Sequence, residues 1–512
     1  MSIHPAPGAP TTPELHRTEV DGIPTFWMDV PGPRMGALMF GVGRANETAV
    51  QGGITHLIEH LSLAPLTQQA YSHNGLVSGR IAVLYATGTD AEIVDFLGTV
   101  TRTIRQLPVD RIGMERRILR QEARNRGNGV VGALLWQRYG FRGFGLVGAE
   151  ELGLGWLGPE PVNDWAARHF NRGNAALWMS GPPPAGLRVE LPEDRQEDRN
   201  VDLGQIREVA LPAHLPWSLD RVSLSYLAPR TVTSVVALDT IARRAREVLR
   251  FARGLVYDIS TDFERMGPDT GHCVISAECR GADAVVVRQE LLAAVDSVAN
   301  HGLTEQEVQL AIRRFTDGRH FPQHAFGFLD GVAFDQVVGR DPVATPEQVI
   351  ADYEGMDGDD VGAELAGSLP TMLLSAPGPR PDGRFSTYPA WSGELLDGRR
   401  FVQAGSWRPG RKRTQTLVVA PEGVTWMSLQ GGQSTVRFDR CVAIRHWEND
   451  VRELWGDDGF RVRIIPAEWR KGVEATRLVD AALPASLVAC DEHAVGAYAD
   501  PQDHGRPPAA PR

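Results

Sequence analysis

Cysteine is scarce: only Cys273, Cys279, Cys441 and Cys490 occur among 512 residues, and none sits in a C-x-x-C pair. That is too few for a disulfide framework and lacks the spacing of a zinc ribbon, so a reducing, cytoplasmic setting is expected. Long apolar runs are missing as well. No stretch approaches 18 apolar residues, so no integral membrane segment is predicted. The opening MSIHPAPGAPTTPELHR has no basic stretch leading into an apolar one, and a secretory leader is not expected. Excess positive charge is also absent. With 53 Lys and Arg against 64 Asp and Glu, the net charge of −11 leaves no basic footprint for nucleic acid. The remainder has the composition of an ordinary globular chain, long enough for several cores.

The chain reads as two related α+β halves and a different third part. In the first half, IPTFWMDV, MGALMFGVG and GRIAVLYATG have the short apolar pattern of strands. AEIVDFLGTVTRTIRQL and IGMERRILRQEARNR read as amphipathic helices. ALWMSGPPP closes this half as a strand running into a turn. The second half repeats the plan. VTSVVALDTIARRAREVLRFARG, DAVVVRQELLAAVDSVANHG and TEQEVQLAIRRFTDGRHF are helical, LVYDISTDFE and HCVISAECRG pair as strands, and TMLLSAPGPRP echoes ALWMSGPPP. Such an echo suggests duplication. The reading places domains at 15–190 and 206–380, joined by a linker at 191–205, after a loose N-terminus at 1–14. Beyond a second linker (381–398), TQTLVVA, GVTWMSL, STVRF, CVAIRHW and FRVRIIP are short strands. They are followed by a helix, AEWRKGVEATRLVDAAL, with Trp469, Val473, Leu478 and Ala482 available for burial. Strands capped by one helix over 399–486 resemble a pleckstrin-homology-like barrel. A disordered Pro-rich tail is expected at 487–512.

One stretch carries chemistry. In GGITHLIEHL, Ile54, Leu57, Ile58 and Leu61 form a helical apolar stripe. His56 and His60 lie one turn apart on the same face, with Glu59 beside them and largely outside the stripe. Two imidazoles at this spacing can grip one Zn²⁺ while a carboxylate moves protons. A catalytic zinc needs a third protein ligand, and the best candidate is in MERRILRQEARNR. There Glu115 and Glu122 lie two helical turns apart and point the same way. The competing reading of this pair is a solvated helix face neutralised by Arg116 and Arg120. Other histidines (His73, His272, His301, His446) show no ligand-like spacing.

H-x-x-E-H is the inverzincin motif. Followed by a helix with E-x6-E, it resembles the pitrilysin-type zinc metallopeptidases of peptidase family M16. The similarity extends to RANETAVQGGITHLIEHL, to HNGLVSGRIAVLYATG where the family has an Asn-bearing edge strand, and to LRFARGLVYDIS, which resembles its R-x6-Y element. It covers about residues 15–380. The resemblance implies Zn²⁺ held by His56, His60 and Glu122, Glu59 as general base, and Glu115 supporting a ligating histidine. It implies substrate pairing along Asn74 and Gly75, and Arg250 and Tyr257 holding the substrate carbonyl and oxyanion. It also implies two duplicated α/β sandwich domains forming half a clamshell. A homodimer, or a heterodimer with a related subunit, would complete the chamber, with Arg250 and Tyr257 acting on the zinc of the other subunit. The stretch from His60 to Asn74 is short for the family, Gly75 stands where Ala is usual, and Gly79 interrupts the edge strand.

The expected activity is a zinc endopeptidase cutting peptides, unfolded segments or leader peptides. The alternative is a catalytically silent scaffold or partner subunit. A third possibility places a docking function in the last 110 or so residues, separable by deletion from about residue 395. The basic loop WRPGRKRT (Arg408, Arg411, Lys412, Arg413) reads as a solvated turn more readily than as a lipid-headgroup site.

Overall fold

The computed structural model describes residues 13–66, 69–126, 129–193, 209–216, 220–318, 321–340, 344–389, 394–404, 415–428, 431–447 and 450–490. The loop 408–413, most of the linker expected at 191–205 and the tail beyond Cys490 lie outside them.

Two six-stranded sheets share one plan. The first runs β1 (His16–Val20), β2 (Ile23–Trp27), β3 (Arg34–Phe40), β4 (Ser72–Val77), β5 (Ala82–Gly88) and β6 (Ala175–Met179), in spatial order β1-β2-β6-β3-β5-β4. The second contains β7 (Ala213–Leu215), β8 (Arg221–Pro229), β9 (Ile259–Arg265), β10 (Thr270–Glu278), β11 (Leu373–Ser375) and β12 (Ser386–Thr387), in order β12-β7-β11-β8-β10-β9. Strand for strand the pairings match: β2–β6 and β7–β11 are parallel, and the remaining contacts of each five-strand core are antiparallel. The echoed segments supply β6 (through ALWM) and β11 (through Leu373 and Leu374), central strands at the same place in each sheet. This is the expected α+β duplication.

Helices cover the sheets. In the first half these are α1 (Ile54–Leu63), α2 (Asp90–Arg105), α3 (Ile112–Arg126), α4 (Val130–Tyr139) and α5 (Pro159–His169). The second half has α6 (Val232–Arg246), α7 (Ala284–His301), α8 (Glu305–Gly318), α9 (Pro322–Val338), α10 (Pro346–Glu354) and α11 (Gly358–Ser368). Period-two alternation feeds both faces of the first sheet. Leu38, Phe40, Leu84 and Ala86 face α1, α2 and α5. Ala37, Met39, Val83 and Trp178 face Leu329, Val332 and Val337 of α9, which the second half lends to the first. The second sheet buries Leu224, Tyr226 and Ile275 under α6, α7 and α11.

The last part holds two four-stranded sheets, β13 (Arg399–Val402) to β16 (Gln433–Arg437) through β14 (Gln415–Ala420) and β15 (Gly423–Ser428), and β17 (Cys441–His446), β18 (Arg452–Gly456), β19 (Arg461–Ile464) and β20 (Val488–Cys490). They enclose Leu417, Val436, Leu454 and Ile464 with α12 (Gly472–Ala482). Three expectations need correction. Burial on α12 falls on Ala475, Thr476 and Val479, while Val473, Leu478 and Ala482 are exposed; only Trp469 of the expected set is buried, and it precedes the helix. Left-handed Lys471 starts the helix later than its composition suggested, shifting the periodic count. The expected linker at 381–398 contains β12, and Tyr388 behind it is buried with its hydroxyl donating to the Gln137 carbonyl at 2.7 Å. The expected tail at 487–512 begins with β20, which pairs with β17.

Candidate metal centre

The Gly52–Gly53 approach to α1 has a physical reason. Gly53 takes φ of 92°, and a Cβ there would meet Glu151 Cβ at 2.8 Å. The first turn is capped from outside: Glu47 accepts from the amides of Gly53 (2.8 Å) and Thr55 (2.9 Å). Burial pushes the Glu47 carboxyl up to about 7, against the pull of Arg44 and these amides. Ile54, Leu57, Ile58 and Leu61 are fully buried, as the stripe predicts. The polar side of the helix is not left to solvent, however: His56 and Glu59 are only 7% and 5% exposed.

Both imidazoles are oriented by buried carboxylates. His56 Nδ1 donates to Glu151 Oε1 at 3.0 Å, and His60 Nδ1 donates to Glu115 Oε2 at 3.3 Å. A carboxylate only accepts, so each Nδ1 carries a proton, which leaves Nε2 as the nitrogen that a neutral ring would offer to a metal. Those two Nε2 atoms converge. Glu59 Oε2 lies 3.9 Å from His56 Nε2 and 3.8 Å from His60 Nε2. Glu122, reaching over from α3, puts one oxygen 3.8 Å from His56 Nε2 and the other 3.5 Å from His60 Nε2. Ligands at zinc-bond distance around a tetrahedral ion are about 3.3–3.5 Å apart, so this donor set fits Zn²⁺ with little adjustment. Among the described residues, His56, Glu59 and His60 form a group whose ligand-type atoms all lie within 4.8 Å.

Glu115 is not on a solvated face. It is buried and takes Arg111 as its cation, with Nη2 at 3.0 Å. Arg116 instead donates to carbonyls on the loop after Glu151, including that of Leu154 at 2.7 Å. Glu59 is wedged against β4: a Cβ at Gly75 would lie 1.9 Å from Glu59 Oε1. Glycine stands there because the acid occupies the space. Asn74 is exposed on the same edge strand and accepts from the Gly75 amide at 2.9 Å. Gly79 does not interrupt β4; it lies in the turn after Val77 and packs on Phe144.

Arg250 and Tyr257 come together on the second half. Arg250 sits in a π-helical turn after α6, its guanidinium 5.2 Å from the Tyr257 ring and 3.9 Å from Asp258. Tyr257 is 84% exposed and precedes β9, the edge strand of its sheet. Of the other histidines, His272 is fully buried and His301 is exposed, while His73 and His446 are partly buried.

Sequence reasoning missed Glu151, the residue that fixes His56. It lies 95 positions away with no periodic relation to the helix. Arg44 pairs with it and also donates to the Val147 carbonyl at 2.9 Å. Burial would raise the Glu151 carboxyl, but His56 and Arg44 outweigh this and hold it down at about 2.

Comparison with family models and with curated proteins gives no match. Solved structures do match. A protease from Helicobacter pylori superposes with a TM-score of 0.60 at 14% identity, over 72% of this chain and 100% of that one. The inactive domain of a peptidase M16 from Pseudomonas fluorescens gives 0.55 at 13%, over 72% and 98%. Pitrilysin gives 0.55 at 14%, over 72% of this chain and 45% of its own. The likeness is one of fold: the chain shares its architecture with structures described as a protease, as pitrilysin and as an inactive M16 peptidase domain. Among the described residues no helix is long and apolar enough to cross a membrane.

Proposed function

We propose that this chain is a zinc-dependent endopeptidase with His56, His60 and Glu122 as ligands. One observation carries the reading: two imidazoles on one helix turn, each locked by a buried carboxylate, aim their free nitrogens at the same point. Bound Zn²⁺ would polarise the scissile carbonyl and lower the pKa of a water to about 7. Glu59 takes the proton of the attacking water and passes it to the leaving amine. Its packing against Gly75 puts it beside the open edge of β4, where an extended peptide can add as a strand along Asn74 and Gly75. Arg250 and Tyr257 face outward, as they must to serve the site of another subunit, and carry oxyanion donors to it in a homodimer or with a related chain. The substrates are peptides or unfolded and leader segments, in the cytoplasm. The last two sheets with α12 fit a pleckstrin-homology-like module.

A silent scaffold is the second reading, supported by the fold's occurrence in an inactive domain. The complete donor set argues against it. Mass-spectrometric analysis of a mixed peptide pool separates the two. Cleavage by wild type and none by Glu59→Gln is the expected result, and absence of cleavage by both favours the scaffold.

A further inference from the structure

The sheet β17–β20 reaches the two chain segments that build the His56 half of the metal site. One is the entry to α1, where Ala49 packs with Ala443, Trp455 and Ala489. The other is the loop carrying Glu151: Leu152 and Leu146 share the same cluster, and Phe141 donates its amide to the Asp457 carbonyl at 2.8 Å. Trp156 ties the two segments together, donating its indole N–H to the Val50 carbonyl at 2.8 Å.

A polar thread runs through this contact. Glu150 and Glu151 are consecutive and diverge. Glu151 turns inward to His56, while Glu150 turns to β17 and meets Arg445 Nη2 at 2.6 Å. The Arg445 side chain is only 11% exposed and is itself steadied, with Nη1 3.8 Å from the fully buried Glu453 and the guanidinium over Trp447 at 5.4 Å. Glu453 in turn takes Arg463 at 2.7 Å and Arg461 at 3.3 Å. One anchor of the Glu151 loop thus belongs to the C-terminal sheet.

We infer that Arg445 is a positioning residue for the metal centre: by holding Glu150 it fixes the loop from which Glu151 orients His56, and so makes the C-terminal sheet part of the site. The inference rests on the zinc reading above. An ion pair with an exposed partner can also contribute nothing, so the distinguishing signature is coupling to Glu151.

The test measures zinc affinity of the full chain by competition with a chromophoric chelator. Arg445→Gln and Glu150→Gln should each weaken zinc about threefold, the pair together no more than either alone, with Arg445→Lys close to wild type. In a Glu151→Gln background both changes should lose their effect, because the route to His56 is already cut. Unchanged affinity in the two single variants overturns the inference. So does a weakening that persists in the Glu151→Gln background, which marks a general loss of structure. Failure of the wild type to bind zinc removes the underlying reading, and is seen before any variant is compared. Glu150 is surface-placed, so its variant tests the link even if the Arg445 changes impair folding.

Discussion

Gly75→Ala introduces the residue that the resemblance makes usual at this place, yet it should disable this site. The added methyl would sit 1.9 Å from Glu59 Oε1, 2.5 Å from Cδ and 2.6 Å from Cγ, so the whole acid must retreat by about 1.5 Å to reach ordinary contact. Glu59 is almost fully buried, with little space to move without leaving its place near His56 and His60. A displacement on the order of 1 Å in a catalytic group costs about 10²-fold in rate. In an edge strand alanine is otherwise tolerated as well as glycine or better, so stability should hold. The ligands are untouched and zinc content should match wild type. The assay is kcat on a peptide identified in the pool experiment, with zinc measured on the same sample. Unchanged kcat would refute the placement of Glu59 as the acting base. Parallel loss of zinc would mean that Gly75 shapes the ligand set instead.

Glu151→Gln should weaken zinc about 10- to 100-fold, read by chelator competition, because His56 loses the ionised acceptor that sets its tautomer; equal affinity would remove Glu151 from the centre. Glu47→Ala strands the buried amides of Gly53 and Thr55 and should cost about 2 kcal/mol or more in urea denaturation, whereas a cost under about 0.5 kcal/mol would show that water replaces the cap. His169 is held down at about 4 by burial and by Arg168, from an ordinary value of 6.5. Its proton is therefore bound more readily in the unfolded chain, and stability contributed by the neutral ring is lost as pH falls from about 6.5 toward 4. With its partial exposure discounted, the loss is about 1–2 kcal/mol, and His169→Phe, which keeps the ring against Trp165, should flatten this part of the pH–stability curve. An identical slope in the variant would contradict it.

What was legible in the sequence was local or repeated. The helix carrying His56 and His60, its apolar stripe and the E-x6-E of α3 are set by helical period. The duplication showed through β6 and β11 because central strands are continuous apolar runs with Gly/Pro turns. What was hidden was assembled from distance. Glu151 and Glu47 come from irregular chain with no period, and α9 covers a sheet of the other half. Gly75 read only as a departure from the usual Ala and is space for Glu59. The last part read as separable, yet Trp455, Ala443 and Ala489 share a core with the segments beside the metal helix. Deleting from about residue 395 would uncover Phe141 and Leu152, so such a deletion tests the site's support as well as any docking function.

Glu59 and Glu122 lie at nearly equal distances from both imidazoles, so the central claim turns on which of them holds the metal. Zinc titration of wild type, Glu59→Gln and Glu122→Gln, side by side, decides it. One equivalent bound by wild type and by Glu59→Gln, with binding by Glu122→Gln weakened at least about 100-fold, is the predicted result. Retention by Glu122→Gln with loss in Glu59→Gln would exchange the two roles, and no binding by wild type would contradict the account.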